Sequence, residues 1–224
     1  MTAVVAEPAA PPSVPAGGPY AHLSPAERYI HRSRDSALNG LLRAEGIESL
    51  AGLRIVELGC GDGALLRTLL YYGAEAGLMR AVDVDPARAA AAHEAAPGAE
   101  VVVGDMACLP YRSSSFDLAF AFTSFSAVRD PQARRHAGLE AMRILRQGGL
   151  LIVYDFMTNP FNTRVRPLTE RELRAMFSRH AVDVRRVTLT PPVVRFLRGR
   201  RTLCRPLEQV PFLRTHLLAA VRKV

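Results

Sequence analysis

A short apolar run ends in Glu57-Leu58-Gly59-Cys60-Gly61-Asp62-Gly63, and an apolar helical segment, 64–72, follows at once. Glycine at every second position lets the chain double back sharply and lets its amides approach a ligand closely. The N-terminus of the next helix favours negative groups. A strand, a glycine loop and a helix in this order restrict the chain to a layout in which parallel strands alternate with helices. By this motif alone the ligand stays open. Gly59-x-Gly61-x-x-Ala64 fits the dinucleotide fingerprint, and Asp83 lies 20 residues beyond Gly63, where a ribose-binding acid would sit. A tight turn that holds no ligand is the plain structural alternative.

The rest of the chain agrees with that layout. Apolar runs at 54–58, 78–82, 100–103, 116–122 and 150–154 do not alternate polar with apolar, as suits strands covered by helices on both faces. Asp85-Pro86 opens a helix over 86–96. Asp130-Pro131 opens another that runs to Arg146 and is ended by Gly148-Gly149. Thr169-x-x-Glu172 opens 170–177, 182–189 reads as a strand, 193–209 as mainly helical and 216–221 as a last strand. Ahead of these, Ser24-Pro25-Ala26-Glu27 is a capping box for a helix reaching toward Arg43, with Asn39-Gly40 as a break point. Residues 1–19 are rich in Pro, Ala and Gly and read as a disordered leader. The expected organisation is one doubly wound α/β domain over 20–224, made of a helical cap (20–50) and a Rossmann-like core (51–224).

Composition narrows the function. With 224 residues, 49% hydrophobic and 22% charged, the profile is that of a globular protein. No stretch approaches ~18 uninterrupted apolar residues, so no transmembrane helix is expected. The three cysteines, Cys60, Cys108 and Cys204, form no CxxC pair; the sequence offers no zinc site and suits a reducing cytoplasm. The net charge of +8 is uneven: residues 1–163 carry 14 Arg against 17 acids, and residues 164–224 carry 14 Arg and one Lys against 4 acids. With no Trp and 7% aromatic residues there is no base-stacking platform, and no nucleic-acid partner is expected.

Further signals follow the glycine loop in order. Asp83 ends the second strand in Ala81-Val82-Asp83-Val84-Asp85, and Asp105 ends the third in Gly104-Asp105-Met106, followed by Leu109-Pro110. Ser115-Phe116-Asp117-Leu118 opens the fourth, and Leu145-Arg146-Gln147-Gly148-Gly149-Leu150 precedes the fifth. From about Leu53 to Asp155 the chain thereby resembles the class I S-adenosylmethionine-dependent methyltransferases of small-molecule type. The resemblance implies a seven-stranded, mostly parallel sheet with a C-terminal antiparallel strand, and S-adenosyl-L-methionine as cofactor with S-adenosyl-L-homocysteine as product. It implies that Gly59, Cys60 and Gly61 pack against the methionine moiety and ribose, with Glu57 supporting the loop. Asp83 would accept both ribose hydroxyls, Val84 would cover the adenine, Asp105 would accept from its amino group, the Met106 amide would read the ring, and Phe122 would line the sulfonium end.

The methyl acceptor is less legible. Histidines that many small-molecule members carry after strand four are missing from Thr123-Ser124-Phe125-Ser126-Ala127-Val128. Two candidates for a general base remain: Asp155, at the end of strand five, and His31, on the cap helix. The reading is methyl transfer to a small molecule, oxygen favoured. Methylation of a glycan or lipid-linked intermediate is the alternative within enzymes; a non-catalytic binder of S-adenosylmethionine or of a dinucleotide is the alternative outside them. Arg195, Arg198, Arg200, Arg201 and Arg205 either form a solvated helix face, hold an anionic substrate or rest on an anionic membrane as a peripheral contact.

Overall fold

The computed structural model describes residues 23–158 and 165–224; the leader lies outside them. Seven strands form one sheet in the order β3-β2-β1-β4-β5-β7-β6. They are β1 (Ile55–Leu58), β2 (Met79–Asp83), β3 (Glu100–Val103), β4 (Phe116–Phe122), β5 (Leu145–Phe156), β6 (Ala181–Leu189) and β7 (Arg214–Arg222). All neighbours are parallel except at β7, which is antiparallel to both β5 and β6. The helices are α1 (Pro25–Ala44), α2 (Ala64–Tyr71), α3 (Pro86–Ala95), α4 (Pro131–Ile144), α5 (Glu170–Met176), α6 (Pro191–Phe196) and α7 (Arg201–Glu208). None among the described residues is long and apolar enough to cross a membrane.

Alternation along the strands divides the core into two layers. Ile55, Phe120, Ile152 and Tyr154 face α1, α2 and α3; Val56, Ala119, Ala121 and Val153 face α4 and α5. The N-terminal caps form as their sequences require. Ser24 and Glu27 bond reciprocally, Asp85 accepts from the Ala87 and Arg88 amides, and Asp130 accepts from Ala133. On the α4 side, the guanidinium of fully buried Arg134 donates to the carbonyls of Val128, Pro167 and Arg166 and to Glu172, tying the chain after β4 to the entry of α5.

Two expectations are corrected and a third is refined. The first helix does not break at Asn39-Gly40, because Leu38, Leu41 and Leu42 anchor both sides of the glycine in the core. The helix after Asp130 ends at Ile144, and Arg146–Gly149 belong to a bulge of β5: Phe116 pairs with Leu145, and the next pair is Leu118 with Leu150. The segment 193–209 is two short helices, separated by a turn in which Arg198 and Gly199 have φ of 51° and 64°. That turn seats on the start of α1, where a Cβ on Gly199 would fall 2.3 Å from the Pro25 carbonyl oxygen.

Two stability effects follow. A Cβ on Gly40 would meet nothing within 4 Å, so Gly40→Ala should raise stability by about 0.5–1 kcal/mol in denaturant titrations. Arg134→Ala should lower it by about 3 kcal/mol or more, since three carbonyls and a carboxylate lose their donor.

Candidate active site

The order of the sheet reverses between β1 and β4, and the carboxyl ends of these strands diverge to leave a crevice. A cleft of about 650 Å³ opens there. Glu57, Gly59, Cys60, Gly61, Asp83, Val84, Asp105, Met106 and Phe122 all border it, so the residues singled out along almost seventy positions of sequence share one cavity.

The loop after β1 is held by the end of β2. The Gly59 and Cys60 amides donate to the Val82 carbonyl at 2.8 and 3.0 Å, and the Gly61 amide donates to Asp83 Oδ2 at 2.8 Å. Asp83 Oδ1 accepts from the Asp85 amide at 3.0 Å. Each carboxylate oxygen keeps lone-pair capacity for a further donor. Gly59 is required sterically as well: its φ is 73°, and a Cβ there would lie 2.6 Å from the Ser124 Cβ. Farther along the cleft Asp105 Oδ1 accepts from Ala107, while Val84 leaves 73% of its surface exposed, an apolar face bordering the cavity.

Glu57 is 2% exposed, and its Oε2 has no hydrogen-bond partner. Burial holds its carboxyl well above the usual range; the Arg34 charge opposes that shift, and Asp62 and Asp83 reinforce it. Arg34 comes from α1, bonds Asp35 at 2.9 Å and lies over the Phe122 ring at 5.6 Å. Four acids, Glu57, Asp62, Asp83 and Asp105, line the cleft against two cations, Arg34 and Arg88. Such a lining suits a ligand that carries positive charge and several hydroxyl or amino donors, and it disfavours a pyrophosphate.

The candidate bases are not in the cleft. Asp155 is fully buried and borders neither large cavity of the carboxyl edge; its Oδ2 accepts from the Ser126 amide at 2.9 Å and its Oδ1 from the Phe156 amide at 2.8 Å. It ties β5 to the chain after β4, and burial pushes its carboxyl up to about 6. As a candidate general base, Asp155 is therefore tied to loop amides instead of open to an acceptor. His31 borders a neighbouring cavity under α1 and α6, together with Phe156 and His216. Sequence reasoning missed Arg34 and His216. Arg34 was legible as the residue one helical turn after His31; His216 joins the site only through antiparallel pairing with Phe156. Among the described residues no group of three His, Cys, Asp or Glu is placed to hold a metal ion.

Residues 56–153 match the methyltransferase domain family. The fold is shared with a S-adenosylmethionine-dependent methyltransferase from Mesorhizobium loti at 22% identity and a TM-score of 0.61, covering 84% of this chain and 99% of that one. It is shared with the YcgJ protein from Bacillus subtilis at 15% identity and 0.60, covering 84% and 98%. Geranyl diphosphate C-methyltransferase from Streptomyces coelicolor A3(2), solved with Mg2+, geranyl diphosphate and S-adenosyl-L-homocysteine, gives 16% identity and 0.62, covering 84% and 77%. No curated protein sequence matches the chain. Residues 56–153 thus carry a methyltransferase domain, an enzyme domain whose cofactor is S-adenosyl-L-methionine.

The buried carboxyl of Asp155 has a measurable consequence. With its folded value near 6 against 3.8 unfolded, the native state binds the extra proton, so stability falls as pH rises from about 4 to about 6. Relative to Asp155→Asn, wild type should lose about 2–3 kcal/mol across that window, read from urea midpoints at each pH.

Proposed function

We propose that the protein transfers the methyl group of S-adenosyl-L-methionine to a small molecule, with oxygen as the favoured acceptor. The observation that carries this reading is the acid-lined cleft with the unpartnered Glu57 oxygen at its floor. When bound, the cofactor supplies an electrophilic methyl group on a sulfonium, so the protein's task is to position donor and acceptor in line. Asp83 would take both ribose hydroxyls on the lone pairs its loop amides leave, and Asp105 would take the adenine amino group. Val84 would cover the ring and the Met106 amide would read its edge. Gly59, Cys60 and Gly61 would follow the methionine chain, with Glu57 available to its ammonium group. Phe122 would close the sulfonium end, where Arg34 lies over its ring.

Oxygen is favoured because imidazoles, those of His31 and His216, border the cavity beside the cleft, where a hydroxyl proton needs an acceptor. A phosphorylated, lipid-linked acceptor is the second reading, supported by Arg195 on the rim of that cavity.

Isothermal titration tests the cofactor assignment. S-adenosyl-L-homocysteine should bind and NAD should not. Asp83→Ala should weaken binding by about 1.5–3 kcal/mol, the range of hydrogen bonds to a charged group. Unchanged binding in a folded Asp83→Ala protein would overturn the assignment.

A further inference from the structure

The cavity beside the cleft has a volume of about 660 Å³ and lies between α1, α6 and the paired ends of β5 and β7. Both cavities follow the inner stripe of α1: Glu27, Ile30 and His31 border this one and Arg34 borders the cleft, at spacings that place them on one helix face. No described residue lines both cavities, and a row of rings stands between them. Phe122, at the cleft, lies 5.3 Å from the Tyr154 ring, and Tyr154 stacks on His216 at 4.9 Å with an interplanar angle of 8°.

The lining is selective. Ile30, Phe156, Pro191 and Pro192 form apolar walls, and the rings of Phe156 and His216 meet at 4.4 Å. The single carboxylate at this cavity among the described residues, Glu27, is turned to Ser24, whose amide and hydroxyl it accepts. His216 is 4% exposed, and its Nδ1 lies 3.2 Å from Thr215 Oγ1. With the ring proton assigned to Nδ1, where it donates to Thr215, Nε2 is a hydrogen-bond acceptor that no described residue engages. Burial, with the Arg34 charge adding to it, pushes the imidazole down to about 4, so the ring is neutral and this lone pair stays available at ordinary pH.

We propose that this cavity holds the methyl acceptor, and that the acceptor is a flat apolar hydroxyl compound, a phenol or fused-ring analogue, whose O–H donates to His216 Nε2. The proposal rests on the methyltransferase reading given above. Transfer requires the acceptor oxygen to reach the sulfonium past the Phe122 and Tyr154 rings, where it forms the new C–O bond while the S–CH3 bond breaks with its electron pair left on sulfur. The hydroxyl proton passes to Nε2 and from there to solvent. Charge balances, since the positive charge lost at the sulfonium is matched by that of the proton released. His31, at the same wall, is one turn of α1 away from Arg34 and faces the cavity without needing to receive the proton.

The test uses the full chain saturated with S-adenosyl-L-homocysteine and two probes, 1-naphthol and 1-methoxynaphthalene, followed by naphthyl fluorescence. 1-Naphthol should bind, and Ile30→Trp, which fills the cavity, should abolish its binding. His216→Phe keeps the stack on Tyr154 and Phe156 but removes Nε2; it should weaken 1-naphthol about tenfold and leave 1-methoxynaphthalene unchanged. Failure of 1-naphthol to bind, or binding that survives Ile30→Trp, overturns the site. Equal weakening of both probes by His216→Phe overturns the hydrogen bond. Failure of S-adenosyl-L-homocysteine to bind would instead sink the cofactor assignment, so the two failures are distinguishable.

Discussion

The glycine loop cannot pair as a strand, because its glycines turn the chain through positive φ, and its amides would be left without acceptors at the carboxyl end of the sheet. The end of β2 supplies them: the Val82 carbonyl takes two amides and the Asp83 carboxylate takes the third. Much else depends on this small set of bonds. It fixes where α2 starts, it keeps the crevice between β1 and β4 open, and it orients a carboxylate whose remaining lone pairs face the cleft. On the proposed cofactor reading, structure and ligand recognition draw on the same side chain. An acid already fixed by the backbone would need little reorganisation to take the ribose hydroxyls proposed for it.

A second constraint is the parity of β5. Ile152, Tyr154 and Phe156 share one face of the sheet, and Val153 and Asp155 point to the other. The face that meets α1 is therefore the one that presents rings to the two cavities, and the carboxylate between them is committed to the α4 side. Arg34 and Asp35 lie at the same helix level under similar burial, so α1 brings charge to the cleft while its lower half, through Leu38 and Leu41, is part of the core. The helix both covers the site and holds the fold.

Most of this was legible in the sequence where the signal is local. Unbroken apolar runs located the strands to within a few residues, Asp-Pro pairs located two helix starts, and acids at strand ends converged on one cleft. What was not legible is non-local or depends on competition. The bulge at Arg146–Gly149 arises because β4 continues to pair beyond the glycines. Gly40 stays helical because flanking leucines are buried. His216 lies sixty residues from Phe156 and meets it only across an antiparallel pair. Asp155 is the instructive case: its position at a strand end was read correctly, but counting by twos from Ile152 would have turned it away from α1.

The placement of β7 between β5 and β6 bears on how the molecule is assembled. β6 precedes β7 in the chain, yet its sheet partner is β7, so while the polypeptide is being synthesised β6 emerges before the strand that will bind it. Until β7 arrives, β5 presents an open edge of largely apolar sequence, a template for pairing with the wrong chain. The insertion also demands a contact between distant segments, whose entropy must be lost before the pairing rewards it, and this slows folding. Three elements that close the second cavity, β5, α6 and β7, come together only at that late step. The cavity beside the cleft is thereby the part of the protein that is finished last.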